Sequence, residues 1–204
     1  MVKFLESGFD QTLTMSSRTG SHIADMGACH NFSLHWLRMI LEKPRQRASE
    51  RMDVLHKNAG GINIVLQQAF VSRWSSDAAD CEHADAMILR LRGLEAKSAV
   101  INYEAFSQSR LRSETITRGG CGFVYSFWFS GSVQGASGGA HSIALYRTSS
   151  EKKEGFYSIF DPNFGEFMIL PGKFSSWFTD FRKLYGPFTA HMLRPIYVVD
   201  KDKT

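Results

Sequence analysis

The sequence is poor in cysteine, and the spacing of its cysteines argues against two common kinds of site. Cys29, Cys81 and Cys121 are the only three among 204 residues, and no two of them form a C-x-x-C pair. An odd, scattered set favours neither a disulfide framework nor a structural zinc site. We therefore expect a protein that works in a reducing compartment and holds no metal or cofactor.

Long apolar runs are also missing. A membrane-spanning helix needs about 18 or more consecutive apolar residues, and no stretch of the sequence approaches that length. The first letters, MVKFLESGFDQTL, lack the apolar core of a cleaved secretory signal. We therefore predict neither an integral membrane segment nor a cleaved signal peptide.

Repeats, low-complexity blocks and long Pro/Gly/Ser linkers are absent as well. We predict a loosely ordered arm over residues 1–20 and one domain over residues 21–204. Apolar residues make up 43% of the chain, which is typical of a packed domain, and a solvated surface explains the mild net charge of +4. We expect a monomer. We predict no nucleic-acid partner, because the aromatic run FVYSFWF has no basic residues between its rings.

The two halves of the sequence predict different structures. Apolar residues recur at helical spacing in the first half, which predicts helices near 29–41, 62–74 and 79–94. The second half contains short β-branched and aromatic segments separated by turn residues, which is typical of strands. A further helix is predicted over 174–186 and a closing strand over 190–199. Helices followed by an antiparallel sheet predict an α+β domain.

Cys29 is a candidate nucleophile because of its position. It follows Gly27 and stands at the start of a predicted helix, where free N–H groups and the helix dipole favour a thiolate. The alternative is a small buried apolar residue, which is the commoner role of cysteine. Cys121 is a rival nucleophile, but a strand follows it, so no helix dipole would activate its thiol. We interpret Cys121 and Cys81 as structural.

A cysteine nucleophile needs a base and a group that orients the base. His141 follows the letters GASGG and begins an apolar strand, which would hold its ring rigidly. Asp161 ends the strand FYSIF, and its carboxylate would orient the imidazole if the two strands pair. A turn cap is the alternative role of Asp161. His22 is a candidate to line the site, and the remaining histidines are interpreted as exposed or structural: His30, His35, His56, His83 and His191.

Three blocks of the sequence resemble a known family. The letters GACHNFSLHWL, GGAHSIALYR and especially FDPNFGEF are similar to the signature blocks of the YopT/AvrPphB family of papain-like cysteine proteases, in the same order over residues 25–170. The resemblance implies a papain-like fold in which the nucleophile begins a central helix packed on an antiparallel sheet. It also implies that Cys29 is the nucleophile, His141 the base and Asp161 the orienting group. Trp36 would pack the central helix.

The resemblance also implies a biological setting. Members of this family are effectors or toxin domains that bacteria deliver into eukaryotic cells. We therefore expect secretion without a cleaved signal peptide and cleavage of a host protein in the host cytoplasm or at its membrane surface. Family members cut different targets, including prenylated small GTPases and protein kinases. Specificity is expected to lie in cleft loops around residues 104–120 and 131–139.

One departure from the papain pattern leaves other functions open. Papain-like proteases place a glutamine or asparagine amide shortly before the cysteine as an oxyanion donor, and the letters SHIAD offer none. Ser21, His22 and Gln11 are the candidates for that role. The alternatives to a protease are a Cys-His-Asp deamidase or acyltransferase, which would share the thioester chemistry, and a catalytically dead binding module.

Overall fold

The computed structural model describes residues 2–14, 28–58, 62–73, 78–116, 120–130, 139–148 and 155–199. Within these ranges the strands are β1 (Leu5–Gly8), β2 (Leu94–Ala96), β3 (Ile101–Ala105), β4 (Gly122–Phe129), β5 (Gly139–Arg147), β6 (Tyr157–Asp161), β7 (Gly165–Ile169) and β8 (Phe188–Val198). The helices are α1 (Cys29–Glu42), α2 (Ala48–Asn58), α3 (Ile64–Arg73), α4 (Ala78–Leu91), α5 (Gln108–Ile116) and α6 (Phe174–Arg182). This arrangement confirms the predicted α+β class.

The eight strands form one antiparallel sheet in the order β1-β7-β6-β5-β4-β8-β2, with β3 paired to β8 beside β2. Apolar side chains cover both of its faces. On β4, Val124 faces the helices of the first half, whereas Phe123 and Tyr125 belong to the second core beneath α6. Because both faces are buried, β4 has a nearly continuous apolar sequence instead of an alternating one.

Helix α1 is the central helix of the first core. Its buried residues include Phe32, Trp36, Leu37 and Ile40, whose spacing places them on one face. That face packs on the sheet, where the Ser33 hydroxyl donates to the Ser142 carbonyl of β5 at 3.0 Å. The helix therefore projects its first residue toward the start of β5.

The described part of the N-terminal segment, residues 2–14, contacts the sheet. Strand β1 pairs with β7, and Phe9 is buried between Phe32 and Phe160, with ring centroids 5.1 and 5.6 Å away. This short strand follows no apolar alternation, so the sequence alone does not reveal it. Residues 15–20 of the predicted arm lie outside the described residues.

Two helices occupy segments for which no helix is predicted. Helix α2 is polar except for a few buried positions such as Met52 and Leu55. Helix α5 lies within residues 104–120, where a cleft loop is expected, and it buries Leu111 and Thr115. Only a few side chains of either helix are buried, so the apolar period that predicts helices is weak in their sequences.

Gly165 begins β7 where its backbone passes very close to β1. Its φ is +114°, and a Cβ added there would lie 2.1 Å from the Ser7 carbonyl oxygen and 2.8 Å from the Phe9 nitrogen. The neighbouring atoms belong to backbone, so they cannot move aside as a flexible side chain would. The turn therefore requires glycine at this position.

We expect Gly165→Ala to lower the free energy of unfolding by at least about 2 kcal/mol, because alanine at this φ is strained and displaces β1. Urea unfolding followed by circular dichroism measures the loss. Gly172→Ala is the matched control, since its added Cβ would meet nothing within 4 Å. Equal stability of the two variants would contradict the close approach of β1 and β7.

None of the helices in the described part of the chain combines the length and the apolarity that a bilayer crossing requires.

Candidate active site

Cys29 is the first residue of α1, and its side chain is partly buried. Helical hydrogen bonding begins here, because the Phe32 N–H donates to the Ala28 carbonyl at 3.0 Å. The N–H groups of the first helical turn have no partner within the helix, and the helix dipole places partial positive charge at this end. The backbone around Cys29 therefore favours a thiolate.

His141 and Asp161 lie at the same end of the sheet because β5 and β6 are antiparallel neighbours. Ala144 pairs with Phe160, so the start of β5 is beside the end of β6. The His141 Nε2 atom lies 2.9 Å from Asp161 Oδ1, and both side chains are buried, with 6% and 0% exposure. The sequence-predicted base and orienting group are thus in direct contact.

The Cys29 thiol and the His141 imidazole form the next contact, a side-chain hydrogen bond. Because Asp161 occupies Nε2, the nitrogen available to the thiol is Nδ1. The structure therefore brings Cys29, His141 and Asp161 into one row, in the order thiol, imidazole and carboxylate.

The electrostatics of this row favour a thiolate–imidazolium pair. Burial alone would raise the pKa of the Cys29 thiol, but the charge of His141, its hydrogen bond and a backbone hydrogen bond from Ser142 lower that pKa below its ordinary value. Burial alone would lower the pKa of His141, but the negative charges of Asp161 and Cys29 and the hydrogen bonds to both raise it to about 10. Both shifts favour a proton on the imidazole over a proton on the thiol.

Asp161 receives two further hydrogen bonds that orient its carboxylate. The Asn163 backbone N–H donates to Oδ1 at 2.8 Å, and the Tyr185 hydroxyl donates to Oδ2 at 2.7 Å. The Tyr185 ring also stacks on His141, with centroids 5.0 Å apart and planes inclined by 24°. No sequence motif marks Tyr185, which follows α6 and reaches the site only through the tertiary fold.

Gln11 contacts the residue immediately before Cys29. Its Oε1 accepts the Ala28 N–H at 2.9 Å, and its Nε2 donates to Asn163 Oδ1 at 2.6 Å. The side chain is 5% exposed. Among the three candidates for an oxyanion donor, Gln11 thus lies beside the nucleophile, whereas Ser21 and His22 lie outside the described residues.

His30 follows Cys29 in sequence but faces another part of the protein. Its Nε2 lies 2.8 Å from Asp85 Oδ1, and its ring stacks on Phe70 at 4.7 Å. Burial, followed by the charges of Arg194 and Arg92, lowers the pKa of His30 to about 3. It is therefore a neutral ring that donates a hydrogen bond to Asp85.

The other predicted bystanders have structural contacts or lie on the surface. His191 is buried and accepts the Ser107 N–H, while His35 is partly buried and its ring lies 3.3 Å from the Asn63 amide. His56 and His83 are exposed. The Cys121 thiol lies 3.8 Å from the Tyr197 hydroxyl. Cys121 directly precedes strand β4 and does not begin any of the described helices.

Cys81 lies within α4, but its side chain is outside the described residues. Within the described ranges, no group of three or more His, Cys, Asp or Glu side chains is arranged to hold a metal ion.

Comparisons with known proteins agree with the motifs and the fold. Residues 6–192 match the peptidase C58 family, described as Yersinia/Haemophilus virulence surface antigen. The crystal structure of the Pseudomonas avirulence protein AvrPphB is similar with a TM-score of 0.63 and 18% sequence identity, over 87% of this chain and 95% of that chain. Its likeness shows the fold, which confirms the predicted architecture. No curated protein matches the chain. Since the family model covers most of its length, the chain belongs to the peptidase C58 family, as the YopT/AvrPphB resemblance predicts.

Proposed function

We propose that the protein is a cysteine endopeptidase in which Cys29 is the nucleophile, His141 the general acid and base, and Asp161 the group that orients His141. The observation that supports this proposal most directly is the row of side chains at the start of α1, with Asp161 Oδ1 2.9 Å from His141 Nε2 and the thiol against the other ring nitrogen. Membership in a peptidase family supports the same reaction class.

The proposed reaction has two stages. The Cys29 thiolate attacks the carbonyl carbon of a peptide bond, and the His141 imidazolium gives its proton to the leaving amine as the C–N bond breaks. A thioester between Cys29 and the acyl half of the substrate remains. Neutral His141 then takes a proton from water, the hydroxide displaces the thiolate, and the resulting imidazolium and thiolate restore the starting pair.

The negative oxygen of each tetrahedral intermediate requires hydrogen-bond donors. The Cys29 backbone N–H is one donor, because the first turn of a helix leaves its N–H groups unpaired. We propose that Gln11 supplies the second, since its amide contacts the residue before Cys29 and only one of its two Nε2 hydrogens is donated to a described residue, Asn163. Gln11 would then replace the amide that is missing just before Cys29 in the sequence.

We further infer that the substrate is a host protein and that this protease acts as a secreted virulence effector in the host cytoplasm. The family description as a virulence surface antigen supports this setting. The named target classes, small GTPases and protein kinases, remain predictions from the resemblance, as do the monomeric state and the action at a membrane surface.

Mapping of new protein N-termini in a eukaryotic cell lysate tests the reaction class. A protease generates new N-termini. A deamidase instead raises the intact mass of its substrate by about one unit without a chain break, and an acyltransferase adds the mass of its group. Either of the latter results would contradict the endopeptidase proposal.

The pH dependence of Cys29 alkylation tests whether the site is active. We expect iodoacetamide to modify Cys29 with a midpoint below the ordinary thiol pKa of about 8.5, because His141 lowers the pKa of the thiol. Peptide cleavage should fall again as the pH rises through about 10, where His141 loses the proton that the leaving amine needs. Alkylation should not fall there, because the thiolate persists. Peptide mass spectrometry assigns the modified cysteine.

The matched variant for this test is His141→Ala. Loss of the imidazolium should raise the midpoint to the ordinary value or above it, because burial then acts on the thiol without compensation, and should slow alkylation at pH 7 by roughly tenfold. An unshifted midpoint in the wild-type protein would indicate a catalytically dead binding module.

A further inference from the structure

A continuous series of hydrogen bonds joins the backbone beside the nucleophile to the carboxylate of the site. The Ala28 N–H donates to Gln11 Oε1 at 2.9 Å, and Gln11 Nε2 donates to Asn163 Oδ1 at 2.6 Å. Asn163 Nδ2 then donates to the Tyr185 hydroxyl oxygen at 3.0 Å, and that hydroxyl donates to Asp161 Oδ2 at 2.7 Å. Four hydrogen bonds thus connect the residue before α1, the segment after β1, the turn after β6 and the segment after α6.

The series closes into a ring through the reactive groups. Asp161 Oδ1 contacts His141 Nε2, and His141 contacts the Cys29 thiol, which is one residue from Ala28. Each residue of this closed series therefore has a neighbour on both sides within the site. A displacement of one side chain must alter the contacts of the next.

The two ends of the series determine the direction of every hydrogen bond within it. A backbone N–H is only a donor and a carboxylate is only an acceptor, so Gln11 must present Oε1 to Ala28 and Asn163 must present Oδ1 to Gln11. Asn163 Nδ2 then occupies a lone pair of the Tyr185 hydroxyl, whose proton is left for Asp161. The orientation of both amides follows from this order.

Tyr185 is held rigidly enough to keep this role. Its side chain is 2% exposed, and its ring contacts His141, Phe127 and Phe181 with centroids 5.0 to 5.3 Å apart. Burial, followed by the charge of Asp161 and its hydrogen bond, raises the pKa of Tyr185 well above its ordinary value. The hydroxyl therefore remains a donor across the working pH range.

We propose that Asn163 and Tyr185 are positioning residues that couple Gln11 to Asp161, so that the oxyanion donor, the imidazole and the carboxylate keep one common arrangement. Neither residue is assigned contact with substrate or with the reacting atoms. The proposal rests on the proposed function of the Cys29 site, and it goes beyond that function by giving two unassigned residues a defined role.

Alkylation of Cys29 over a pH series tests the proposal without requiring a substrate. Tyr185→Phe keeps the ring that stacks on His141 but leaves Asp161 Oδ2 without its donor, so the carboxylate is free to turn away from Nε2. The imidazolium and the thiolate then lose stabilisation. We expect the alkylation midpoint to rise by about one pH unit, because a hydrogen bond to a charged group affects the equilibrium by roughly tenfold.

Tyr157→Phe is the matched control. Tyr157 is also buried, at 1% exposure, and its hydroxyl has no hydrogen-bond partner among the described residues. Its removal should leave the alkylation profile unchanged. A Tyr185→Phe profile that coincides with that of Tyr157→Phe, or that shifts to lower pH, would overturn the proposal.

A double-mutant cycle tests the coupling itself. If Asn163 and Tyr185 act as one unit, Asn163→Ala combined with Tyr185→Phe should shift the midpoint little more than Tyr185→Phe alone. Additive shifts would show two independent residues and overturn the coupling. Failure of the proposed function is recognised separately: a dead site would show an ordinary thiol midpoint in the wild-type protein itself, and another reaction class would yield no new N-termini.

Discussion

Replacing Cys29 with alanine is expected to eliminate every new protein N-terminus that the wild-type protein generates in a eukaryotic cell lysate. Alanine has no thiol, so no thioester forms, and His141 and Asp161 have no nucleophile to activate. Loss of the nucleophile from a triad lowers turnover by roughly 10⁶-fold, which places residual cleavage below detection. Isotope-labelled mapping of N-termini, with both proteins at equal concentration, measures the difference.

The fold should survive this change. Alanine favours the helical conformation at the start of α1, and we expect the Tm to change by no more than about 4 °C. Cys121→Ser is the matched control, because it removes a partly buried thiol that does not contact His141. It should cleave the same proteins as the wild type. If Cys29→Ala also cleaves them, Cys29 is not the nucleophile.

Replacing Glu166 with alanine is expected to lower the free energy of unfolding strongly. Glu166 is 3% exposed, accepts the Trp36 indole N–H at 2.7 Å and forms two hydrogen bonds with the buried Arg51 guanidinium. Removal of one partner from a buried ion pair leaves the other charge without compensation and costs about 3–5 kcal/mol. The corresponding fall in Tm is roughly 6–20 °C for a chain of this size.

Thermal and urea unfolding of Glu166→Ala measure this loss. Glu95→Ala is the surface control, since Glu95 is exposed on β2 and its removal should change stability by less than about 0.5 kcal/mol. The double variant Arg51→Met with Glu166→Leu removes both charges and should be more stable than Glu166→Ala. A loss below about 1 kcal/mol for Glu166→Ala would contradict the role of this pair in joining α1 and α2 to β7.

Glu166 belongs to a short block in which several residues meet separate physical requirements. The block FDPNFGEF contains Asp161, which contacts His141, and Asn163, which contacts Gln11 and Tyr185. Gly165 passes beside the backbone of β1, and Glu166 neutralises Arg51. Four positions within six residues thus meet four different physical requirements.

Periodicity in the sequence was sufficient to predict the larger elements. Helix α1 is strongly amphipathic because it packs on the sheet, and the strands of the second half are rich in aromatic residues because both faces of the sheet are buried. Helix α2 was not predicted because only a narrow stripe of its surface is buried, which leaves little apolar periodicity in its sequence. The structure shows half of a capping box there, since the Glu50 carboxylate accepts the Arg47 N–H, but arginine is not a residue that marks a capping box in a sequence.

The sequence by itself determined the α+β class, the family and the three candidate residues Cys29, His141 and Asp161. The class and the candidate residues depend on helix starts, strand ends and turn residues, which are local features. The family follows from the resemblance of three short blocks. Only the tertiary structure decided that Gln11 and Tyr185 accompany them. Gln11 reaches Ala28 because β1 pairs with β7, and Tyr185 reaches Asp161 because α6 packs under the sheet. Such contacts join distant segments through packing, and no local pattern in either segment records its partner.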